Sequence, residues 1–322
     1  FGESIKYLEQ LQQPFYTKFI TVTNHFPFPL PEKDGDFPRA TTDNTAVNNY
    51  FATAHYLDQS LEEFFNYLKA SGLYDNSMIV LYGDHYGLSN SDNKALLSVL
   101  GRDPETWTDY DNAQLQRVPY MIHMNGLKGG IQKQYGGEID ALPTMLHLLG
   151  IDNKNYVQFG TDLLSPQHDQ VVAFRNHNFV TPDYTVLDGT IYNNQDGTEV
   201  TEPTAKLQKQ VAVWQKQVNR ELSLSDSVNE KNLLRFYTPQ GFKPVNPADC
   251  NYLTGYQQLV DIQNKLGANS TSLFSQNGDQ STVGLFKTDA PEFADDQSSL
   301  TEVPKSKALK KESDATATND AE

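Results

Sequence analysis

A single cysteine, Cys250, in 322 residues excludes an internal disulfide and a thiolate-ligated zinc cluster. That count suits the cytosol, and equally the surface of bacteria that make little use of disulfides. No apolar run approaches the roughly 20 residues a membrane-spanning helix needs. Positive charge is scarce: 25 Lys and Arg stand against 41 Asp and Glu, a formal net charge of −16. Nucleic-acid recognition and adsorption to an anionic membrane both want a basic footprint, so neither is expected of this stretch. If the substrate is anionic, a metal ion and a few local donors must offset that field. Walker loops, G-x-S-x-G elbows and H-E-x-x-H pairs are missing too. The chain opens on Phe1 inside a helix-like stretch, without an initiator Met or targeting segment, as expected of part of a longer enzyme.

Aromatics, by contrast, are plentiful. Seventeen Tyr and seventeen Phe supply enough apolar surface for a buried core, and the length allows one large domain or two small ones. Residues 2–13 read as a short amphipathic helix ended by Pro14, and the alternation in FYTKFITVT, residues 15–23, predicts a strand. A Pro-rich loop follows. Residues 44–71 form the clearest helix, with Tyr50, Phe51, Ala54, Leu57, Leu61, Phe64, Phe65 and Leu68 at helical spacing. Thr42 or Asp43 suits its N-cap and Gly72 its C-cap. Residues 77–82, SMIVLY, read as a buried parallel strand. Residues 119–124 predict another strand, and 138–149 a helix closed by Gly150. Later strands are expected at 171–175, 184–187 and 190–192, the last two joined through Asp188-Gly189. Two helices are expected at 202–222 and 225–236, with Ser225 or Asp226 capping the second. The strand–helix alternation of the first half predicts an α/β sheet with parallel strands. From about Pro239 the composition turns polar, so 241–322 is expected to be a low-order tail. The resulting division is 1–165, 166–240 as a small α+β subdomain, and 241–322.

The residues best placed for chemistry follow the SMIVLY strand, in Tyr82-Gly83-Asp84-His85-Tyr86-Gly87. Ligands of open α/β sheets bind beyond the carboxyl ends of strands. Glycines on both sides let the chain leave strand geometry, so that a carboxylate and an imidazole turn onto one metal ion. The competing reading is a turn in which Asp84 caps the next segment and His85 is exposed. The dipeptide alone leaves the two even; its place after a buried strand favours the metal. His25, in Thr23-Asn24-His25-Phe26-Pro27, sits at a second expected strand end and suits phosphate binding or proton transfer near neutral pH. Read without a partner it is more often a loop histidine bonded to backbone. His55, His123, His147 and His168 read as ordinary structural or surface groups, and His177 shows no partner at ligand spacing. Arg117 and Arg175 read as surface or structural charges.

The run from Tyr56 to Gly87, YLDQSLEEFFNYLKASGLYDNSMIVLYGDHYG, resembles the signature of the sulfatase and alkaline-phosphatase-like superfamily. EIDALPTMLHLLGI and FGTDLLSP resemble its following helix and loop. TNHFPF, YGDHYGLS, YGGEID, VAFRN and LSLSDSVNEKNLLRF, together and in order, are similar to the lipoteichoic acid synthase family over about residues 14–240. The resemblance implies a sulfatase-like sheet flanked by helices, of which this is the C-terminal portion. It implies transfer of glycerol phosphate from phosphatidylglycerol to a growing polyglycerolphosphate chain or glycolipid acceptor. Asp84 and His85 are then ligands of Mn²⁺, with Mg²⁺ or Zn²⁺ as substitutes, His25 a phosphate contact, and Phe26 and Tyr86 neighbours of the glycerol pocket. The family's Thr nucleophile and Glu ligand are expected upstream, with the membrane segment that holds the domain on the extracellular face. No Thr here matches that nucleophile, so the chain alone is expected to be inactive. A sulfatase-superfamily phosphodiesterase or phosphoethanolamine transferase, or a non-catalytic fragment binding wall polymer, are the alternative readings.

Overall fold

A computed structural model describes residues 1–301 apart from 155, 239, 243–245, 291, 292 and 294–297. The chain begins with a 3₁₀ turn leading into α1 (Ile5–Leu8). Residues 15–23, expected as a strand, run extended without a strand partner among the described residues. The predicted alternation is nonetheless present. Phe15 packs on the core and Phe19 meets Phe1 and Phe64, whereas Tyr16, Ile20 and Val22 face outward. Side-chain period alone does not supply the neighbouring ladder that makes a strand.

The long helix α2 (Thr45–Ala70) forms as expected, but Asn44 is its N-cap, accepting from the Val47 amide at 3.1 Å. Thr42 instead donates its hydroxyl to Asn48 Oδ1 at 2.7 Å. Gly72 follows the helix at φ 79°, the left-handed position that glycine tolerates best. At 26 residues, α2 is about 39 Å long and serves two cores. Its first turns pack Ala46, Val47, Tyr50 and Phe51 with Phe28, Leu88, Ala95 and Leu96. Its last turns pack Phe64, Tyr67 and Leu68 with Ile5, Leu8 and Leu73.

β1 (Ile79–Tyr82) pairs with β2 (Tyr120–His123), and the pairing is antiparallel, Tyr82 opposite Tyr120. The expected parallel, buried strand is corrected on both counts: β1 is only partly buried and β2 returns alongside it. Between them lie α3 (Asn93–Leu100) and α4 (Asp109–Gln114). An apolar run of this length marks a strand but not the direction of its neighbour. A 3₁₀ turn at Glu138–Asp140 then leads into α5 (Ala141–Leu148), with Gly150 at φ 67° beyond it.

The second sheet is an antiparallel meander of β3 (Val172–Ala173), β4 (Phe179–Val180), β5 (Tyr184–Leu187) and β6 (Thr190–Asn193). Asp188 and Gly189, at φ 49° and 88°, make the expected two-residue hairpin, the geometry that matches strand twist. One helix, α6 (Ala205–Glu230), covers this sheet where two were expected. Thr204 caps it, and Leu207, Val211, Trp214, Val218 and Leu222 face Phe179, Val186 and Ile191. Asp226 is not a cap but a helix-face partner of Arg175 at 2.8 Å. Packing of the stripe as far as Leu222 outweighs the local preference of Ser and Asp for a helix start.

The polar stretch expected to be a tail is folded over much of its length. α7 (Tyr252–Leu266) and α8 (Leu273–Gln276) form, and Leu273, Val283, Phe286 and Leu300 complete the core around Ile5 and Tyr67. Its Ser and Thr residues serve one buried carboxylate: Glu9, 2% exposed, accepts from Ser281 Oγ, the Thr282 amide and Thr282 Oγ1 at 2.9, 2.6 and 2.8 Å. The Tyr67 hydroxyl joins Thr282 Oγ1 at 2.8 Å, and burial, with the charge of Glu9 adding to it, pushes the phenol up to about 12. A few apolar residues suffice because they close an existing core instead of building a new one. Residues 302–322 of the expected tail lie outside the described residues. Among the described residues, no helix is long and apolar enough to cross a membrane.

Candidate functional site

Two loops meet above the first core. One carries Asn24, His25 and Phe26 after the extended segment; the other carries Asp84, His85 and Tyr86 after β1. Each is anchored three residues beyond its histidine, by Phe28 and Leu88, buried in the same cluster. Phe28 is fully buried at φ 61°, a left-handed conformation that bulky residues rarely adopt. Its amide donates to the His25 carbonyl at 2.7 Å, closing the turn. Tyr50 of α2 stands between the loops. Its ring packs edge-on against Phe28 at 5.2 Å, and a Cβ on Gly87 would lie 2.5 Å from its Cε2.

Gly83 and Gly87 therefore serve close approach and not, as the sequence suggested, unusual backbone angles. Neither has a positive φ, and a Cβ on Gly83 would lie 2.8 Å from Val118 Cβ. Gly87→Ala is expected to cost about 1–3 kcal/mol by overpacking, read as a lower melting temperature and a weakened nuclear Overhauser contact between the His25 and His85 rings. In a Tyr50→Ala background the same change should cost much less, because the two sites share one contact.

The histidine rings lie 5.3 Å apart, edge to face at 88°. Both use Nδ1 the same way: His25 toward the Phe26 carbonyl at 2.9 Å, His85 toward the Tyr86 carbonyl at 2.7 Å. A carbonyl only accepts, so each Nδ1 carries the proton. In the neutral ring, Nε2 then keeps its lone pair, the arrangement that orients a metal-ligating histidine. His85 Nε2 lies 3.9 Å from Asp84 Oδ1. That is longer than a hydrogen bond and within the ~4.4 Å spanned by two donors each ~2.0–2.2 Å from one ion. Asp84 is 73% exposed on its side chain, so this carboxylate is not held for structural reasons. In the same turn, Asn24 Oδ1 is buried without a hydrogen-bond partner.

Asp84 and His85 thus fit as two ligands of one cation, with His25 beside them. The set is incomplete here: among the described residues, no group of three or more His, Cys, Asp or Glu is placed to hold a metal ion. Phe26 and Tyr86 flank the histidines as exposed rings, Tyr86 packing edge-on to His85 at 6.3 Å and Phe26 to Phe28 at 6.0 Å. Sequence reasoning missed Tyr50 and Phe28. The available signal was an apolar residue three positions after each histidine and a glycine two after His85.

The remaining histidines are engaged elsewhere. His55 pairs with Asp36 at 3.2 Å, His147 Nδ1 with Asp162 at 2.6 Å, and His177 Nδ1 with Asn219 Oδ1 at 2.9 Å. His147 is mostly exposed. His123 stacks on Tyr74 at 4.1 Å. His168, read as an ordinary loop group, is 3% exposed on its side chain with Nε2 3.2 Å from Asp140 Oδ2. Its Nδ1 accepts from the Gln170 amide at 3.1 Å, so Nε2 is the donor to the carboxylate. Asp140 also accepts from the Gly137 and Thr161 amides at 3.0 and 2.8 Å.

Residues 1–151 match the family described as Sulfatase, whose superfamily generally uses metal ions. The chain is 52% identical over 252 residues to lipoteichoic acid synthase 2 of Bacillus subtilis (strain 168), covering 78% of this chain and 38% of that protein. It is 45% identical over 257 residues to lipoteichoic acid synthase of Staphylococcus aureus (strain USA300), covering 79% and 38%. The chain thus spans about two fifths of the length of these curated relatives. Among solved structures, the lipoteichoic acid synthase LtaP from Listeria monocytogenes matches at TM-score 0.50 and 29% identity, over 63% of this chain and 52% of that one. A protein of the alkaline phosphatase superfamily from Vibrio parahaemolyticus, 19% identical at TM-score 0.50 over 71% and 53%, shares the fold. The architecture is an alkaline-phosphatase/sulfatase-like α/β fold, and the chain is similar to lipoteichoic acid synthases over 78–79% of its length.

Proposed function

We propose that this chain is the C-terminal part of the catalytic domain of a glycerophosphate transferase of lipoteichoic acid synthesis. The observation that carries the reading is the meeting of Asp84, His85 and His25 from two loops, with both imidazoles fixed through Nδ1. The relatives named lipoteichoic acid synthase at 45–52% identity support it. In this reading phosphatidylglycerol donates glycerol phosphate to a polyglycerolphosphate chain or glycolipid acceptor. The Thr nucleophile, the further ligands and the membrane segment belong to the remainder of the full-length protein, which works at the extracellular face of the bacterial membrane.

Asp84 and His85 would hold the ion. A carboxylate oxygen with one imidazole suits Mn²⁺ and also accepts Mg²⁺ or Zn²⁺. When bound, the ion supplies Lewis-acid polarisation of the phosphoryl group and activation of the nucleophile. His25, with Nδ1 held by backbone, keeps Nε2 for the substrate, as an acceptor when neutral and a donor to a phosphate oxygen when protonated. Phe26 and Tyr86 offer exposed ring surface for the glycerol carbons. The wedge of Phe28 and Tyr50 fixes how far apart the two histidines stand, which sets where a phosphoryl group is held. Full-length protein given phosphatidylglycerol and Mn²⁺ should release diacylglycerol and form a glycerophosphate polymer. A metal-loaded, folded protein that forms neither product would rule the reading out.

A further inference from the structure

A net charge of −16 disfavours adsorption to an anionic surface, but the charge is not evenly spread. On α6, Lys206, Lys209, Lys216 and Arg220 recur at helical spacing, and all four are exposed. Together with Val213 and Leu224 they fall within about 80° of the helix circumference, along about 27 Å of its length. This row stands opposite the side of α6 that packs on the second sheet. The helix is therefore anchored on one face and basic on the other.

Single exposed lysines are ordinary; their spacing here is not. Lys206 and Lys209 are three apart, Lys216 and Arg220 four apart, the spacings at which like charges repel on a helix. The chain has 41 Asp and Glu, yet the acids of α6 lie off the row. Asp226 pairs with Arg175, and Glu230 ends the helix. Glu221 is partly buried, and burial, with the charges of Asp140 and Asp169 adding to it, pushes its carboxyl up. Among the described residues, no ion pair engages any of the four cations. Val213 and Leu224 stand among them 59% and 48% exposed, where a solvated helix face carries polar groups.

An anionic lipid surface answers both features. A helix with apolar residues among its cations lies in the headgroup plane, its lysine stems reaching the charged groups. The remaining acidity does not cancel this attraction. The field of such a surface dies within about 8–10 Å in physiological salt, and α6 is itself about 10–12 Å thick. A convex helix face also offers no groove to grip a flexible polymer, whereas a flat bilayer meets its whole length.

We propose that the outer face of α6 docks on an anionic phospholipid bilayer and lays the β3–β6 subdomain against it. Docking and transfer are separable, because phosphatidylserine supplies the charge and is not the donor lipid of the transferase reading. Co-sedimentation of the whole chain with phosphatidylcholine vesicles, with and without phosphatidylserine, should show binding to the anionic ones alone, weakening steeply as salt rises. Lys216→Glu with Arg220→Glu should weaken that binding roughly tenfold or more. Lys128→Glu with Lys133→Glu, an equal charge change on exposed loop residues, should leave it nearly unchanged. Both double variants should melt with the parent. Equal binding to uncharged vesicles, no binding to either kind, or equal loss in the two double variants would overturn the proposal. So would soluble polyphosphate that strips the chain from vesicles at equal total charge, since the row would then belong to a linear polyanion.

Discussion

Asp84→Ala in the full-length protein is expected to lower glycerophosphate transfer on the order of 10²–10³-fold, the scale of removing one group that stabilises developing charge. The melting temperature should hardly move. Asp84 is 73% exposed and, among the described residues, its one ion-pair neighbour is His85 at 3.9 Å, and exposed substitutions away from buried networks usually stay within about ±0.5 kcal/mol. His85→Ala should behave alike in activity. A residue at the tip of a loop that matters greatly for turnover and little for stability is doing chemistry or binding, not packing. If Asp84→Ala retained transfer within a few-fold of the parent at equal metal content, the ligand role would be wrong. If activity fell only with the melting temperature, the turn reading of Gly83-Asp84-His85 would be the better one.

Asp140→Ala is expected to destabilise the fold by about 3–5 kcal/mol, the cost of stranding the partners of a buried carboxylate. The substitution leaves the Gly137 and Thr161 amides and His168 Nε2 without an acceptor, each at a cost of about 1–3 kcal/mol. It also loosens the turn that starts α5, where the Thr144 hydroxyl donates to the Asp140 carbonyl at 2.7 Å and accepts from the Leu163 amide at 2.9 Å. Gly160 belongs to the same construction, since at φ 76° a Cβ there would lie 2.2 Å from the Ile139 carbonyl oxygen. The EIDALPT and FGTDLL motifs are in this sense one structural knot. Asp140→Asn, which keeps one acceptor, should recover part of the loss. Denaturant unfolding of the three proteins measures it, and a loss under about 1 kcal/mol for Asp140→Ala would mean that the amides find other partners.

Strong periodicity was readable. The stripe from Tyr50 to Leu68 gave α2 almost to the residue, and the Asp188-Gly189 pair gave the β5–β6 hairpin. Partnership across the chain was not. Nothing local in SMIVLY tells whether β2 returns antiparallel, and nothing in FYTKFITVT tells that its ladder partner is absent from the described residues. The helix at 205–230 is not legible as one because Ser225 and Asp226 look like a cap. The folded part of the polar stretch beyond Pro239 was not legible because its few apolar residues are far apart in sequence; they become a core surface only when Glu9 and Tyr67 bring them together. At the site, Asp84, His85 and His25 were legible as residue types at two expected strand ends. Their contact, and the Phe28–Tyr50 wedge behind it, were not, because they join positions more than twenty residues apart.

The most direct test of the shared centre is a titration of the chain with Mn²⁺ while the imidazole Cε1–H signals are watched by NMR. His85 and His25 should broaden together at the lowest metal concentration, and Asp84→Ala should remove the effect from both. His177, bonded to Asn219, should stay sharp over that range. Broadening spread evenly over all seven histidines, or His85 broadening while His25 stays sharp, would contradict a common cation and phosphate centre.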